Sequence, residues 1–306
     1  MTLISLVLVF VLEQLRPLPT PNAVQSMLAG YLDNLSGQFN AGERRQGAIA
    51  WLLAVAPLVI VSLLLYYLLG AATVLLALAF NVAVLYFLMG FRQFSGSYNA
   101  ILEALRNDDI DAARETLASW RNKPAEALDS TEIAKLAIEE GLTAAHRQLF
   151  GIMFWFIVIP GPAGAVLYGV AALLNEKWGR GGEEYVEFGS FARKAFDVLD
   201  WIPSRLTAIT FAIVGDFEDA IYCWRTQSNS WGNLEQGIVL AAGAGALGVR
   251  LGEAVHEEGS VAFRPELGIG DEANVEHMAS GVGLVWRSVL IWMFLIALVT
   301  LVTWFN

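Results

Sequence analysis

The distribution of apolar residues along the chain predicts membrane-spanning helices. Residues 47–70 and 71–90 contain no Asp, Glu, Lys or Arg and consist largely of Leu, Val and Ala. Residues 283–305 repeat this pattern, with a single arginine near their start. Each stretch is long enough to supply the roughly 20 residues that a helix needs to cross ~30 Å of hydrocarbon. We therefore expect a transmembrane hairpin over 47–90 that turns at Gly70, and a C-terminal transmembrane helix.

A further apolar stretch, residues 150–174, is divided by Pro160-Gly161-Pro162. Its halves are too short to span a bilayer alone, which predicts a broken spanning helix or a re-entrant loop. Residues 1–15 form a short hydrophobic segment without the basic start and cleavage site of a signal peptide. The pattern as a whole predicts an all-α, polytopic integral membrane protein with about four to five membrane-embedded segments.

The polar residues between the apolar stretches predict a helical layer. Residues 92–149 carry apolar positions at helical spacing, and Asp129 followed by Glu132 resembles a capping box that opens one of these helices. Either a packed helical layer or a repeat-type binding platform fits this pattern. Arg44 and Arg92 flank the predicted hairpin. Because basic residues mark cytoplasmic loops, we expect the layer to be cytoplasmic.

Composition narrows the class of protein. Of the 306 residues, 56% are hydrophobic and 16% are charged, whereas soluble domains are about 45–50% apolar and about 25% charged. The shift favours one compact membrane unit, 1–306, in contact with the lipid bilayer. The net charge of −11 argues against nucleic-acid binding, which needs a basic face. A single cysteine and three widely spaced histidines exclude an internal disulfide and make His-based metal catalysis unlikely on sequence grounds.

The candidate chemistry lies in residues 200–252, where charges are set among apolar runs, and generic nucleotide-binding and hydrolase motifs are absent. We expect Pro203 to begin a helix, with Asp200 or Ser204 as its cap and Arg205 in its first turn. An arginine beside exposed helix N–H groups makes a cradle for phosphate or carboxylate. Alternatively, an Asp200–Arg205 pair only fixes the helix at the membrane interface.

Three further charged residues have two interpretations each. Arg250 follows a run of small residues, which favours close helix packing over ligand binding. Glu139 and Glu140 lie on a predicted helix, where a solvated face is the simpler interpretation. If Arg205 and Arg250 form one cradle, their guanidinium groups should face a common cavity.

Four stretches in combination resemble one family. They are D-W-I-P-S-R-L-T-A from Asp200, G-D-F from Gly215, G-A-L-G-V-R-L-G from Gly245 and R-P-E-L-G from Arg264. Together they resemble the cobalamin-biosynthesis family CobD/CbiB, with weaker similarity around Ile138-Glu139. The resemblance implies a bacterial inner-membrane, multi-pass protein. Enzymes of this family join an aminopropanol-type linker, usually as its phosphate, to a corrinoid carboxylate in an ATP-dependent amide ligation.

The resemblance also implies site residues and cofactors. Ligand-binding positions would be Asp200, Arg205, Asp216, Arg250 and Glu139. Asp216 would in addition hold Mg²⁺, and ATP would be the second cofactor. The ligand would be a corrinoid or another anionic small molecule.

The chain departs from the family at several motifs. An Arg-Asp-Thr motif is replaced by Arg121-Asn122-Lys123, a Glu-Asn pair falls at Thr143-Ala144, and Pro19–Asn22 stands near the place of a His-Pro motif. A divergent AmpE-type branch, linked to β-lactamase regulation, keeps a similar Asp-Trp-x-Pro-x-Arg-Leu stretch and lacks the enzyme motifs. The alternative function is therefore a non-catalytic membrane sensor or regulator that binds a phosphate- or carboxylate-bearing ligand.

Overall fold

The fold is built almost entirely from α-helices, as the sequence predicts. A computed structural model describes residues 1–16, 23–257 and 260–305, so Pro19–Asn22 lies outside the described residues. The α-helices of the described part are α1 (Thr2–Leu15), α2 (Ala23–Phe39), α3 (Arg44–Ala72), α4 (Val74–Leu88), α5 (Phe91–Arg106), α6 (Ile110–Arg121), α7 (Ser130–Ala145), α8 (Gly151–Val158), α9 (Ala163–Leu174), α10 (Ser190–Val214), α11 (Phe217–Gln227), α12 (Leu234–Leu247) and α13 (Val275–Phe305).

Short strands lie between α12 and α13, in a stretch that the sequence pattern marks only as a loop. They are β1 (Val249–Arg250), β2 (Val255–Glu257), β3 (Ser260–Ala262) and β4 (Asp271–Glu272). β1 pairs with β4 in parallel, and β2 pairs with β3 in an antiparallel hairpin. The hydrogen bonds of these strands give the loop a defined course.

The chain folds into two compact units, each assembled from two separate stretches of sequence. Unit 1 contains residues 1–93 and 147–201, and unit 2 contains residues 94–146 and 202–306. The sequence pattern, interpreted as one membrane unit, does not reveal this division. α10 contributes its first half to unit 1 and its second half to unit 2.

Within unit 1, α3 and α4 form a helical hairpin whose turn is not where we expected it. Gly70 lies inside α3, and the chain turns at Thr73, so the prediction of a turn at Gly70 was wrong. The hydroxyl of Thr73 accepts a hydrogen bond from the backbone N–H of Leu76 at 3.2 Å, which caps α4. A threonine hydroxyl that accepts from a free N–H of the first helical turn stabilises the start of a helix at that position.

The break predicted in residues 150–174 is present in unit 1. α8 ends at Val158, α9 begins at Ala163, and Gly161 between them adopts a left-handed φ of 67°. α8 and α9 pack closely, because a Cβ on Gly164 would lie 1.9 Å from the carbonyl oxygen of Trp155. Whether these two short helices are embedded in a membrane stays a prediction.

Pro203 does not begin a helix. It lies inside the 25-residue α10, which begins at Ser190, so that prediction was wrong. A proline inside a helix leaves the carbonyl four residues earlier without its usual donor. Here the indole of Trp155 donates to that carbonyl, on Leu199, and the helix continues.

Unit 2 is organised around α7, which is buried along nearly its whole length and packs against α6, α12 and α13. The predicted capping box is present: the side chain of Asp129 accepts from the N–H of Glu132, and the side chain of Glu132 accepts from the N–H of Asp129. α12 packs closely on α7, since a Cβ on Gly243 would lie 2.7 Å from the side chain of Leu142. The burial of α7 fits a packed helical layer.

Two helices of the described part are long and apolar enough to cross a membrane, Arg44–Ala72 and Val275–Val302. Only 22% and 33% of their most apolar segments are buried within the protein, so these are not ordinary core helices. Large apolar side chains such as Leu68 and Phe294 are exposed along them. α13 begins eight residues before the predicted start of the last span. The architecture is consistent with an all-α membrane protein.

Candidate functional site

Two of the stretches that carry the family resemblance lie side by side in unit 2. The backbones of Leu251 and Leu267 exchange both of their hydrogen bonds, at 2.7 and 3.0 Å. Gly248–Gly252 and Arg264–Gly268 are therefore neighbours, although a dozen residues separate them in sequence. One local structure thus contains both stretches.

Glu139, on α7, holds these two stretches together. Its Oε1 accepts a hydrogen bond from the N–H of Gly252 at 2.8 Å, and its Oε2 accepts one from Nη1 of Arg264 at 2.5 Å. Arg264 also donates from Nη2 to the carbonyl of Gly252 at 3.0 Å. Glu139 is 6% exposed, so the interpretation of this residue as part of a solvated face was wrong. We call Glu139, Gly252 and Arg264 the Glu139 site.

The electrostatics of this site depend on the buried carboxylate. Burial raises the pKa of Glu139, and the positive charge of Arg264 opposes that rise. Taking away one partner of such a buried pair leaves the other charge uncompensated, which costs roughly 3–5 kcal/mol. Arg264 also lies over the ring of Trp231, with its Cζ 5.9 Å from the ring centroid. The guanidinium is therefore fixed from two sides.

Glycines are required where the two stretches approach each other. Gly252 has a φ of 73°, and a Cβ there would lie 1.9 Å from the carbonyl oxygen of Pro265. Gly268 has a φ of 87°, and a Cβ there would lie 2.1 Å from the carbonyl oxygen of Val249. Left-handed backbone and close approach both exclude larger residues. The backbone conformation and the close packing thus explain why glycine occupies both positions.

Charged residues on one face of α7 hold the chain that follows Gly252. Glu132, Lys135 and Glu139 follow at spacings of three and four residues, which places them on one side of the helix. Nζ of Lys135 lies 2.5 Å from Oε2 of Glu253, and Oε1 of Glu132 lies 2.7 Å from Nδ1 of His256. The sequence offered one signal for this face, namely charges at helical spacing among apolar residues.

Glu132 is the acidic group of this face whose environment favours its ionised form. Burial alone would raise its pKa. Hydrogen bonds from the N–H of Asp129 and from the backbone and ring of His256 outweigh that effect, and the pKa of Glu132 is lowered. The side chain is therefore a fixed negative anchor for β2.

Arg250 lies beside this face with much of its hydrogen-bonding capacity unused. Its Nη1 is 3.8 Å from Oε1 of Glu253, and its Nη2 is 3.7 Å from Oε1 of Glu272. Both distances exceed those of hydrogen bonds. Its Nε is buried and has no acceptor among the described residues. Arg250 thus has donors that the described residues do not satisfy, and its ligand-binding role stays a prediction.

Arg205 and Arg250 are anchored near opposite ends of α12, and one common cradle for them stays a prediction. Nη1 of Arg205 lies 4.0 Å from Oε1 of Glu235, in the first turn of α12. Arg250 follows the C-cap of the same helix, Gly248. A 14-residue helix is about 21 Å long, and it separates the two anchoring points.

Asp216 has a structural role at the end of α10. Its Oδ1 accepts a hydrogen bond from the N–H of Asp219 at 3.0 Å, which caps α11. In the described ranges, no three His, Cys, Asp or Glu side chains are grouped so that they could hold a metal ion. The role of Asp216 as a Mg²⁺ ligand, which the resemblance implies, stays a prediction.

Asp200 lies in unit 1. It is 2% exposed, and its Oδ1 accepts a hydrogen bond from the hydroxyl of Tyr168 at 2.7 Å. The contact joins α10 to α9. It gives Asp200 a packing role within that unit, and its predicted ligand-binding role stays a prediction.

Known proteins resemble this chain along most of its length. A family model described as CobD/Cbib protein matches residues 2–285. "Cobalamin biosynthesis protein CobD" of Stutzerimonas stutzeri is 36% identical over 85% of this chain and 86% of its own length. The protein of the same description from Chromobacterium violaceum is 36% identical over 81% of this chain and 78% of its own.

The similarity extends to an archaeal protein. "Probable cobalamin biosynthesis protein CobD" of Methanocaldococcus jannaschii is 24% identical over 73% of this chain and 76% of its own length. No solved structure matches the chain significantly. The family match includes α7, with Glu139, and both stretches that Glu139 joins. The chain belongs to the CobD/Cbib protein family of cobalamin biosynthesis.

Proposed function

We propose that this chain is an inner-membrane, multi-pass ligase of cobalamin biosynthesis. Its reaction would be the ATP-dependent formation of an amide between an aminopropanol-type linker and a corrinoid carboxylate. The observation that carries the proposal is the Glu139 site, where one buried carboxylate joins two stretches that resemble the family. A buried ion pair costs desolvation and is a weak source of stability, so its presence here favours a role in positioning.

The charges around the Glu139 site suit anionic reactants. Arg250 and Lys135 offer positive charge beside it, and Arg264 fixes the course of the chain between β1 and β4. The linker, as its phosphate, and the corrinoid carboxylate are both anions that arginine and lysine bind. ATP would supply the activation of the carboxylate, and Mg²⁺ would offset phosphate charge.

The membrane location rests on α3 and α13, whose apolar surfaces are exposed to a large extent. Lipid around these helices would remove that surface from water. The basic residues Arg44, Arg92 and Arg287 support a cytoplasmic location for the polar helices α5 to α7, where ATP would be available.

An assay of the purified full chain in detergent tests the ligase proposal. The protein is incubated with a corrinoid acid, aminopropanol phosphate, ATP and Mg²⁺, and the amide product is detected by mass spectrometry. We expect product with the wild type and a loss of at least about tenfold with Glu139→Gln. The amide has only one acceptor atom, so either the N–H of Gly252 or Nη1 of Arg264 loses its acceptor.

Glu140→Gln is the matched control for this assay. Glu140 is the next residue of α7 and pairs with Arg121 at 3.4 Å, away from the joined stretches. The Glu140→Gln variant should form the amide product at the rate of the wild type. No product from a folded wild type would contradict the ligase proposal and favour the AmpE-like alternative, a non-catalytic sensor of an anionic ligand.

A further inference from the structure

The carboxylate of Glu253 lies between two cations that come from different elements. Its Oε2 is 2.5 Å from Nζ of Lys135 on α7, and its Oε1 is 3.8 Å from Nη1 of Arg250 on β1. The two oxygens of one side chain thus face an ammonium and a guanidinium. This is the arrangement in which proteins bind the oxygens of an anion.

Lys135 makes an anion necessary at this position. It is 4% exposed, and a lysine that is so deeply buried needs a partner of opposite charge. Among the described residues its ion-pair partner is Glu253. Without a carboxylate or another anion here, the ammonium would remain buried and uncompensated.

Arg250 has donors that Glu253 does not use. The closest ion-pair distances of its guanidinium are 3.7 and 3.8 Å, so within the described part of the chain neither Nη group has a close carboxylate acceptor. Its buried Nε also lacks an acceptor among the described residues. An anion with more oxygens than a carboxylate would satisfy these donors better.

Glu253 itself is held in an unfavourable backbone conformation. Its φ is 60°, in the left-handed region that non-glycine residues seldom adopt. Such a conformation costs of order 1–3 kcal/mol and persists only where contacts enforce it. Hydrogen bonds of Gly252 with Glu139 and of His256 with Glu132 hold the backbone on both sides of Glu253, and its side chain is thereby directed towards Lys135.

We propose that Lys135 and Arg250 form a binding site for a phosphate monoester, and that Glu253 is an internal carboxylate that the phosphate displaces. A phosphate monoester carries close to two negative charges and three acceptor oxygens, which suit an ammonium and a guanidinium together. Glu272, the other acidic neighbour of Arg250, is largely exposed, so water screens its repulsion. The identity of the ester as an aminoalkyl phosphate rests on the proposed function, whereas the phosphate site itself does not.

Equilibrium dialysis of the purified full chain with radiolabelled inorganic phosphate tests the site directly. Arg250→Gln and Lys135→Gln should weaken binding by at least about tenfold, because each removes one charged donor. Glu253→Gln should strengthen binding by about tenfold, since the neutral amide competes poorly for the two cations. Arg287→Gln, an exposed arginine on α13, is the matched control and should leave the affinity unchanged.

Two competitors of labelled phosphate test which kind of anion the site prefers. O-phosphoethanolamine should displace the labelled phosphate, and acetate at the same concentration should not. Equal displacement by acetate, or a Glu253→Gln variant that binds phosphate no better than the wild type, would overturn the proposal.

A loss of folding in Lys135→Gln would not weaken the test. The side chain of Arg250 is 35% exposed, so Arg250→Gln should fold, and unchanged phosphate affinity in that variant would by itself contradict the site. The measurement needs neither corrinoid nor ATP. Its failure is therefore distinct from a failure of the ligase assay.

Discussion

The indole Nε1 of Trp155 donates a hydrogen bond to the backbone carbonyl of Leu199 at 3.1 Å. Leu199 is four residues before Pro203, and proline has no N–H for the carbonyl at that position. A side chain of α8 therefore replaces the missing backbone donor of α10. This contact explains how a proline can lie inside a 25-residue helix that carries the Asp200–Ala208 stretch.

Trp155→Phe should destabilise the protein by about 1–3 kcal/mol, because it leaves the carbonyl of Leu199 without a donor. In a Pro203→Ala background the cost should be smaller, since the N–H of residue 203 can then donate to the same carbonyl. Thermal unfolding of the wild type, both single variants and the double variant in detergent measures this coupling. Strictly additive costs would show that the two residues act independently.

The hydrogen bonds that Glu132 accepts from Asp129 and His256 predict a dependence of stability on pH. The pKa of Glu132 is lower in the folded chain than its ordinary value of 4.5, so folding favours the ionised carboxylate. Its contribution to stability is complete above that ordinary value and is lost as the pH falls through the lower, folded value. A glutamine at this position can still form the capping box.

Glu132→Gln should therefore be less stable than the wild type near neutral pH, and the difference should shrink as the pH falls below 4.5. Chemical denaturation across this range measures both proteins. Glu126→Gln, at an exposed position before α7, is the control and should follow the wild type throughout. A difference that grows with acidity would contradict the assigned direction.

The sequence predicts local features of this fold well. The capping box of Asp129 and Glu132 depends on residues three positions apart, and the uncharged residues 47–70 suffice to indicate a long apolar helix. The hairpin turn shows the limit of such prediction. It lies at Thr73, which caps α4, three residues after the expected position at Gly70. Features that depend on neighbours in sequence are thus accessible from sequence.

The errors share a physical cause, which is a partner distant in sequence. Pro203 was expected to begin a helix because its tertiary donor, Trp155, is invisible locally. Glu139 was assigned to a solvated face because Arg264 is 125 residues away. Arg205 pairs with Glu235 at one end of α12, and Arg250 lies beyond the other end, which only the folded chain reveals. Long-range pairs decide these positions, and no local pattern encodes them.

The orientation in the membrane can be tested with introduced cysteines. The native Cys223 is buried, and burial raises the pKa of its thiol to about 11, so it should not react with thiol reagents at neutral pH. An impermeant reagent applied to intact cells should label Ala72→Cys, at the hairpin turn, and spare Glu126→Cys, in the polar layer. The reverse pattern would place the polar helices outside the cytoplasm.

Complementation of a bacterium that lacks its own CobD/CbiB enzyme tests most directly whether the Glu139 site serves cobalamin biosynthesis. Growth that depends on corrinoid synthesis is scored for the wild type, Glu139→Gln and Glu140→Gln, with each protein quantified in the membrane. We predict growth with the wild type and Glu140→Gln and none with Glu139→Gln at equal amounts. Equal growth with Glu139→Gln, or no growth with the wild type, would contradict the claim.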